Sequence, residues 1–263
     1  MPLIHSVPLR PSAGACRATP GRPDPRLRGL VLGYGGFSSH TGAPVAHRLL
    51  PLPSTTLVLA FDGPFALFSG PRARATVDGP TTWGRGVSVG LTPAGVSVLF
   101  GLPMSALADQ TVDWHDVLGP RADPLAARLA EAPSWRARFA LLDAALLARL
   151  GEGAPSTLVA AAWQRLCGPP VPVGLLASRL GVSRRALEVG FRREVGLSPG
   201  AVSRVTRFQT ALTLLGDGLR PSLAAAAAGY ADQPHFSRSA RAMAGLTPAQ
   251  LCAIVQYRPL PGA

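Results

Sequence analysis

Hydrophobic positions change their period along the chain, and the changes mark its parts. Residues 1–26 are rich in Pro and Arg without any period and predict irregular chain. From Leu27 to about Phe100, short apolar runs recur between Gly and Pro. LRGLVLGYGGF (27–37), STTLVLAF (54–61) and GVSVGL (86–91) read as β-strands. Thr92-Pro93 then opens a short helix, with Thr92 as its N-cap. From Met104 to Leu150 the period becomes helical. Its clearest element begins at Ser134-Trp135 and carries Trp135, Phe139, Leu142, Leu146 and Leu150 on one stripe. The expectation is an α+β N-terminal domain over 1–150, strands first and helices after.

Gly151-Glu152-Gly153-Ala154-Pro155-Ser156 interrupts helical patterns with two glycines and a proline, which predicts a linker over 151–156. Beyond it no strand-like alternation occurs, and breaks at Gly168-Pro170, Gly181, Gly196, Gly216-Pro221, Gly229 and Gly245-Pro248 leave short helical segments. Residues 157–263 are therefore expected to form an all-α C-terminal domain.

Two stretches of that domain repeat one plan. In VGLLASRLGVSRRALEVGFRREV (173–195), a short helix with Leu175, Leu176 and Leu180 inward meets Gly181, which suits a left-handed turn. Ser183 then caps a second helix whose Leu187 and Phe191 share a buried face. In SLAAAAAGYADQPHFSRSARAMA (222–244), a helix ends at Gly229, Asp232 caps the next, Pro234 occupies its first turn and Phe236 turns inward. This is the build of a helix-turn-helix, whose second helix enters the major groove of DNA. A linker helix joins the copies. Its 17 residues from Pro199 to Leu215 make a rod of roughly 25 Å, of the order of the roughly 34 Å between successive major-groove faces. Leu180, Leu187, Phe191, Leu212, Tyr230 and Phe236 are expected in the core.

Charge agrees with that plan. The formal net charge is +12, and all 26 basic residues are arginine. A GC-rich genome accounts for part of such a composition, so distribution matters more than the total. Residues 156–263 carry 12 Arg against Glu188, Glu194, Asp217 and Asp232, a net of +8, whereas 1–155 carry 14 Arg against 10 acids, a net of +4. Unbalanced positive charge favours a polyanionic partner through counterion release. Cys16, Cys167 and Cys252 are scattered without metal-type spacing and fit a reducing compartment. No apolar stretch reaches membrane-span length, and MPLIHSVPLRPS lacks a signal-peptide core, so a cytoplasmic location without membrane contact is expected.

The stretch from about Val173 to Leu251 resembles the DNA-binding module of the AraC family of regulators. LASRLGVSRRALEVGFRREVGLSPGAV, RFQTALTLL, AAAAGYADQPHFSR and AGLTPAQL carry the resemblance, through both units and the helix between them. It departs from the family in three places. Gly190 lies inside the first recognition helix, at a cost of up to about 1 kcal/mol relative to Ala. Ala240 stands where the family usually has a bulky aromatic. Val189, at an often polar and DNA-facing position, has no hydrogen-bond donor.

Resemblance and helical geometry together nominate Arg185, Glu188, Arg192, Gln233, His235 and Arg238 for the groove. Arginine bonds guanine bidentately, glutamine bonds adenine, and glutamate accepts from cytosine. Arg184, Arg207 and Arg241, with Arg193 and Arg204, suit phosphate contacts that fix register. Ser183, at the start of the first reader, completes the DNA-binding set. Glu188 has a second reading, as an ion-pair partner of Arg184 or Arg192 on its own helix.

The front domain also resembles that of a group of AraC-type regulators, through HRLLPLPSTTLVLAF, VSVGLTPAGVSVLFGLPMSAL and SWRARFALLDAALLARL. The resemblance implies sensing of a small-molecule effector or homodimerisation, and contact with RNA polymerase if the protein activates. Pro51, Pro53 and the Gly-rich 33–36 segment suit turns beside a pocket and suit plain loops better. His5, His40, His47 and His115 show no His-x-His or His-Glu-x-x-His spacing, and no nucleophile elbow, P-loop or dinucleotide fingerprint occurs. Asp113, His115 and Asp116 read as a polar turn. The expectation is a sequence-specific transcription regulator, not an enzyme, with no cofactor and no metal. The alternatives are an architectural DNA-binding protein with little sequence selectivity, and a metal-dependent cupin-like enzyme fused to a DNA-binding module.

Overall fold

A computed structural model describes residues 3–9, 17–38, 45–61, 66–81, 84–118, 123–151 and 157–255. Its strands are β1 (Ser6–Pro8), β2 (Arg17–Gly21), β3 (Val31–Ser38), β4 (Val45–Leu49), β5 (Thr55–Ala60), β6 (Ala66–Ser69), β7 (Thr76–Thr81), β8 (Arg85–Leu91) and β9 (Thr111–Asp113). Six form a sheet in the order β2-β3-β8-β5-β6-β9, and three form a second in the order β1-β4-β7. Every pairing is antiparallel. β5 is buried on both faces along most of its length, as the unbroken apolar run of a central strand requires. Its register sets Leu57 opposite both Val89 and Phe68, and Leu59 opposite Val87, so one layer of apolar side chains crosses three strands.

Two strands lie in the segment expected to be irregular. β2 pairs with β3 from Arg17 opposite Ser38 to Gly21 opposite Tyr34. This pairing uses backbone groups of RATPG, which has no apolar alternation to announce a strand. β1 is only three residues long, too short for any period.

The helices of the front domain are α1 (Pro93–Phe100), α2 (Trp114–Leu118), α3 (Asp123–Glu131) and α4 (Trp135–Leu147). Thr92 Oγ1 accepts from Gly95 N at 2.9 Å, so the expected cap forms, and Ser134 Oγ caps α4 by accepting from Ala137 N at 3.2 Å. Asp113 Oδ1 accepts from His115 N at 2.8 Å, closing the expected polar turn. Leu142 and Leu146 are buried, but α4 stops before Leu150, which is 42% exposed, so the stripe ends one turn earlier than its period suggested. At the other end, Trp135 lies flat over Gly36, where a Cβ would come within 2.5 Å of its ring. The glycine-rich strand makes a seat for a helix.

Beyond the linker, whose residues 152–156 lie outside the described ones, come α5 (Thr157–Leu166), α6 (Val173–Arg179), α7 (Arg184–Glu194), α8 (Pro199–Gly216), α9 (Pro221–Ala227), α10 (Gln233–Ala244) and α11 (Pro248–Val255). Apolar packing crosses from the front of the chain to these helices twice. One cluster joins the six-stranded sheet to α5, α6, α7 and the start of α8, through residues such as Leu91, Val96, Trp163, Phe191 and Val202. The other joins Ile4, Val7 and Leu50 to the rest of α8 and to α9, α10 and α11. Polar contacts accompany each. Trp163 Nε1 donates to Pro53 O at 2.9 Å, and Ser105 Oγ donates to Arg193 O at 2.5 Å. Gln209, 1% exposed on α8, accepts from Ile4 N at 2.9 Å and donates to Ile4 O at 3.0 Å and Pro51 O at 2.8 Å. Arg48 Nη1 donates to Ala244 O at 2.8 Å, placing a cation at the C-terminal end of α10, where the helix dipole favours it.

The Gln209 bonds give a stability prediction. Gln209→Ala strands three buried backbone groups and should destabilise the full chain by about 2–3 kcal/mol, read from denaturant unfolding. A loss below about half a kcal/mol would mean that water replaces the amide.

His5 gives a second prediction. Its Nε2 is enclosed without a hydrogen-bond partner. Burial, helped by nearby Arg72 and His47, pushes its pKa down to about 3. The folded chain thus holds His5 neutral, while the unfolded chain protonates it below about 6.5. Stability contributed by the neutral ring is complete above that pH and is lost as pH falls towards 3. His5→Gln should flatten this acid limb of stability against pH, and an unchanged slope between pH values of about 6.5 and 4 would assign the limb to other groups.

Candidate nucleic-acid interface

The two expected helix-turn-helix units are α6–α7 and α9–α10. The turns between them pivot on Gly181 (φ 67°) and Gly229 (φ 84°), a backbone region that side-chain-bearing residues avoid. Ser183 Oγ accepts from Ala186 N at 3.1 Å, and Asp232 Oδ1 accepts from His235 N at 2.6 Å, so each second helix is capped as its sequence predicts. Leu187 and Phe191 of α7, and Phe236 and Ala240 of α10, are fully buried. The first helices bury Leu176 and Ala177, and Ala224 and Ala225. Leu175, expected inward, is 45% exposed, because the contact with α7 is already filled by its two neighbours. Leu180 is half-buried.

Most of the nominated side chains lie away from those buried pairs, and Arg184 and Gln233 extend from the first turn of each helix. Arg184, Arg185 and Arg192 are exposed on α7, and Gln233, Arg238 and Arg241 on α10. Glu188 is half-buried and pairs with Arg184, Nε to Oε1 3.1 Å, so part of its accepting capacity is used on its own helix. His235 is half-buried, its ring set edge-on to Tyr230 at 5.2 Å. Arg207 of α8 differs from the rest. Its guanidinium stacks over Tyr230 at 4.8 Å, and Nη1 points at Gly229 O at 3.4 Å, which braces the turn of the second unit. Burial raises the Tyr230 phenol, keeping a neutral ring beneath that cation. Ser183 is exposed but engaged as a cap. The described α8 runs 18 residues, roughly 27 Å.

The sequence left three positions unassigned. Gln209 and Arg48 tie the helices to the front domain, and a glutamine inside the apolar stripe of α8 was the only signal for the first. Val189 is 57% exposed between Arg185 and Arg192. Among the described residues no three His, Cys, Asp or Glu side chains gather as a metal site would require. His40 lies outside them. No described helix is long and apolar enough to cross a membrane.

A family profile described as a helix-turn-helix domain matches residues 176–253, both units together. A probable AraC family transcriptional regulator from Rhodopseudomonas palustris CGA009 is 30% identical, across 40% of this chain and 100% of that one, with a TM-score of 0.34. The chain belongs to the AraC family of transcriptional regulators. It is a DNA-binding regulator with the family's paired helix-turn-helix module behind a front domain rich in β-strands. Looser likenesses are to ToxT of Vibrio cholerae. The apo K231A form from strain SCE256 is 10% identical across 95% of this chain and 96% of its own, TM-score 0.46. A form bound to an unsaturated fatty acid is 8% identical across 97% and 96%, TM-score 0.42. That overlap is too loose to transfer any property of ToxT. No curated protein matches the chain.

Against the AraC pattern, Gly190 has a packing cause. A Cβ there would stand 3.0 Å from Val159 Cγ2 of α5. The glycine lets the first reader approach a helix outside its own unit, and the propensity loss is the cost of that approach. Gly190→Ala should therefore give little of the roughly 1 kcal/mol that helix propensity offers, because Val159 must shift. Adding Val159→Ala should release it, as a coupling of about 1 kcal/mol in a double-mutant unfolding cycle. Simple additivity would remove α5 from the explanation.

Proposed function

We propose that this regulator reads two blocks of one DNA site with α7 and α10, and that a small-molecule effector acting on the front domain changes how the two readers are presented. The observation that carries the reading is the double attachment of the readers to the front domain. Ser105–Arg193 holds α7 and Arg48–Ala244 holds α10, while Trp163–Pro53 and Gln209–Ile4 hold α5 and α8 beside them. An effector shifts such an arrangement only by binding its two states with different affinity.

In this reading Arg185, Glu188, Arg192, Gln233, His235 and Arg238 meet base edges. Arg184, Arg241, Arg193 and Arg204 meet phosphates. Ser183 and Arg207 lie at the margin, holding the readers in shape beside the backbone. Residues 1–150 form the sensory domain, 151–156 the linker and 157–263 the DNA-binding domain. The regulator works as a cytoplasmic homodimer without catalytic chemistry of its own, and where it activates it contacts RNA polymerase.

Random-sequence DNA selection with the full-length protein at about 150 mM salt tests the reading. The expected result is a motif of two blocks about one helical turn apart. Arg238→Ala should then cost about 1–3 kcal/mol at one base pair of the second block and relax preference there. An equal loss on all sequences would move Arg238 to a phosphate. Salt-sensitive binding without any enriched motif would leave an architectural DNA-binding protein instead.

A further inference from the structure

The two reader helices present different chemistry at the same place. On α7, Leu187 and Phe191 lie two residues either side of Val189, each turned about 200° from it. Both are fully buried, so Val189 is the apex of the outward face. On α10 the fully buried pair is Phe236 and Ala240, and the residue midway between them is Arg238. The second reader therefore leads with a guanidinium and the first with an isopropyl group that is 57% exposed.

Exposed apolar side chains on monomers often need no explanation, but the surroundings of this one are specific. Arg185, four residues before, and Arg192, three after, fall within about 60° of Val189 on the helix, and both are exposed. A cationic rim on an exposed helix suits a polyanion that carries an apolar spot better than a purely apolar protein surface. The major groove offers one such spot, the C5-methyl group on a pyrimidine edge. The burial of Leu187 and Phe191 fixes the rotation of α7 so that the valine leads, and Gly190 leaves room for Val159 of α5.

Resting on the reading that α7 enters the major groove, we propose that Val189 reads a pyrimidine C5-methyl group and adds a methyl preference to the bases that Arg185, Glu188 and Arg192 meet. The methyl is carried by thymine and by 5-methylcytosine. Arg185 and Arg192 flank the contact and hold the helix in the groove.

The test uses the full-length protein and its selected duplex. Each thymine of the block read by the first unit is replaced in turn by deoxyuridine, which lacks only the methyl, and each cytosine by 5-methylcytosine. At one position, methyl removal should weaken binding about fourfold, the size expected when one methyl-sized apolar group loses its contact. Val189→Ala, a change at an exposed helix position, should select the same two blocks, bind the methyl-bearing duplex up to about fourfold more weakly, and lose most of that difference. A loss on thymine replacement identifies thymine as the target, and a gain confined to cytosine methylation identifies 5-methylcytosine. No methyl effect in the block, or the same effect in V189A, overturns the assignment while the two-block motif keeps the regulator reading intact. Absence of any preferred sequence overturns both.

Discussion

The apolar stripe of α8 is buried from its first turn to its last, and the positions of both readers depend on that burial. Ala201 and Val202 enter the cluster that holds the first unit, while Val205, Phe208, Ala211, Leu212 and Leu215 enter the one that holds the second. Each large side chain among these contributes about 1.5–3 kcal/mol by leaving water. The helix is therefore fixed along its whole length, and the units cannot turn about it independently without exposing one stripe end. Gln209, in the same stripe, then settles which part of the front domain lies against it. An unbonded buried amide is costly, and among the described residues Ile4 and Pro51 supply its partners.

That constraint makes the front domain a splint rather than a passenger. Its sheet shares apolar packing with the first unit, and its N-terminal strand with the second. The bond from Arg48 reaches the carbonyl end of α10, the end away from the capped turn that starts the reader. A movement within the front domain would reach both readers through side chains already in contact, with no need for a flexible link to carry it.

Much of the DNA module was legible because its signals are local. Caps, glycine turns and buried pairs four apart fix Ser183, Gly181, Leu187 and Phe191 without knowledge of the rest of the chain. The nominated arginines followed as the opposite face of the same helices. What escaped was set by distant partners. Nothing around Ile4 says that it belongs against Gln209 of α8, and nothing around Gly190 names Val159 as the neighbour that a Cβ would crowd. β2 was missed because its pairing rests on backbone groups, which every sequence has. Arg207 was nominated for a phosphate, and no local signal announced its stacking over Tyr230.

The two units also solve their cores differently, and this bears on Ala240. The first places Leu187 and Phe191 inward at positions where the second has Phe236 and Ala240, so the aromatic comes one turn earlier in α10 and a small residue follows. Tyr230 packs on Phe236 at 5.1 Å from the turn, and Ile4, Val7 and Leu50 join the same cluster from outside the module. Cores tolerate exchanged positions when total volume is kept. Here part of that volume comes from the front domain. The small alanine thus sits in an apolar cluster that also includes Ile4 and Val7, more than two hundred positions earlier in the sequence. A unit whose apolar cluster includes residues of another domain is sensitive to movement of that domain, and the reader led by Arg238 is tied to the front domain through Arg48 as the first reader is tied through Ser105.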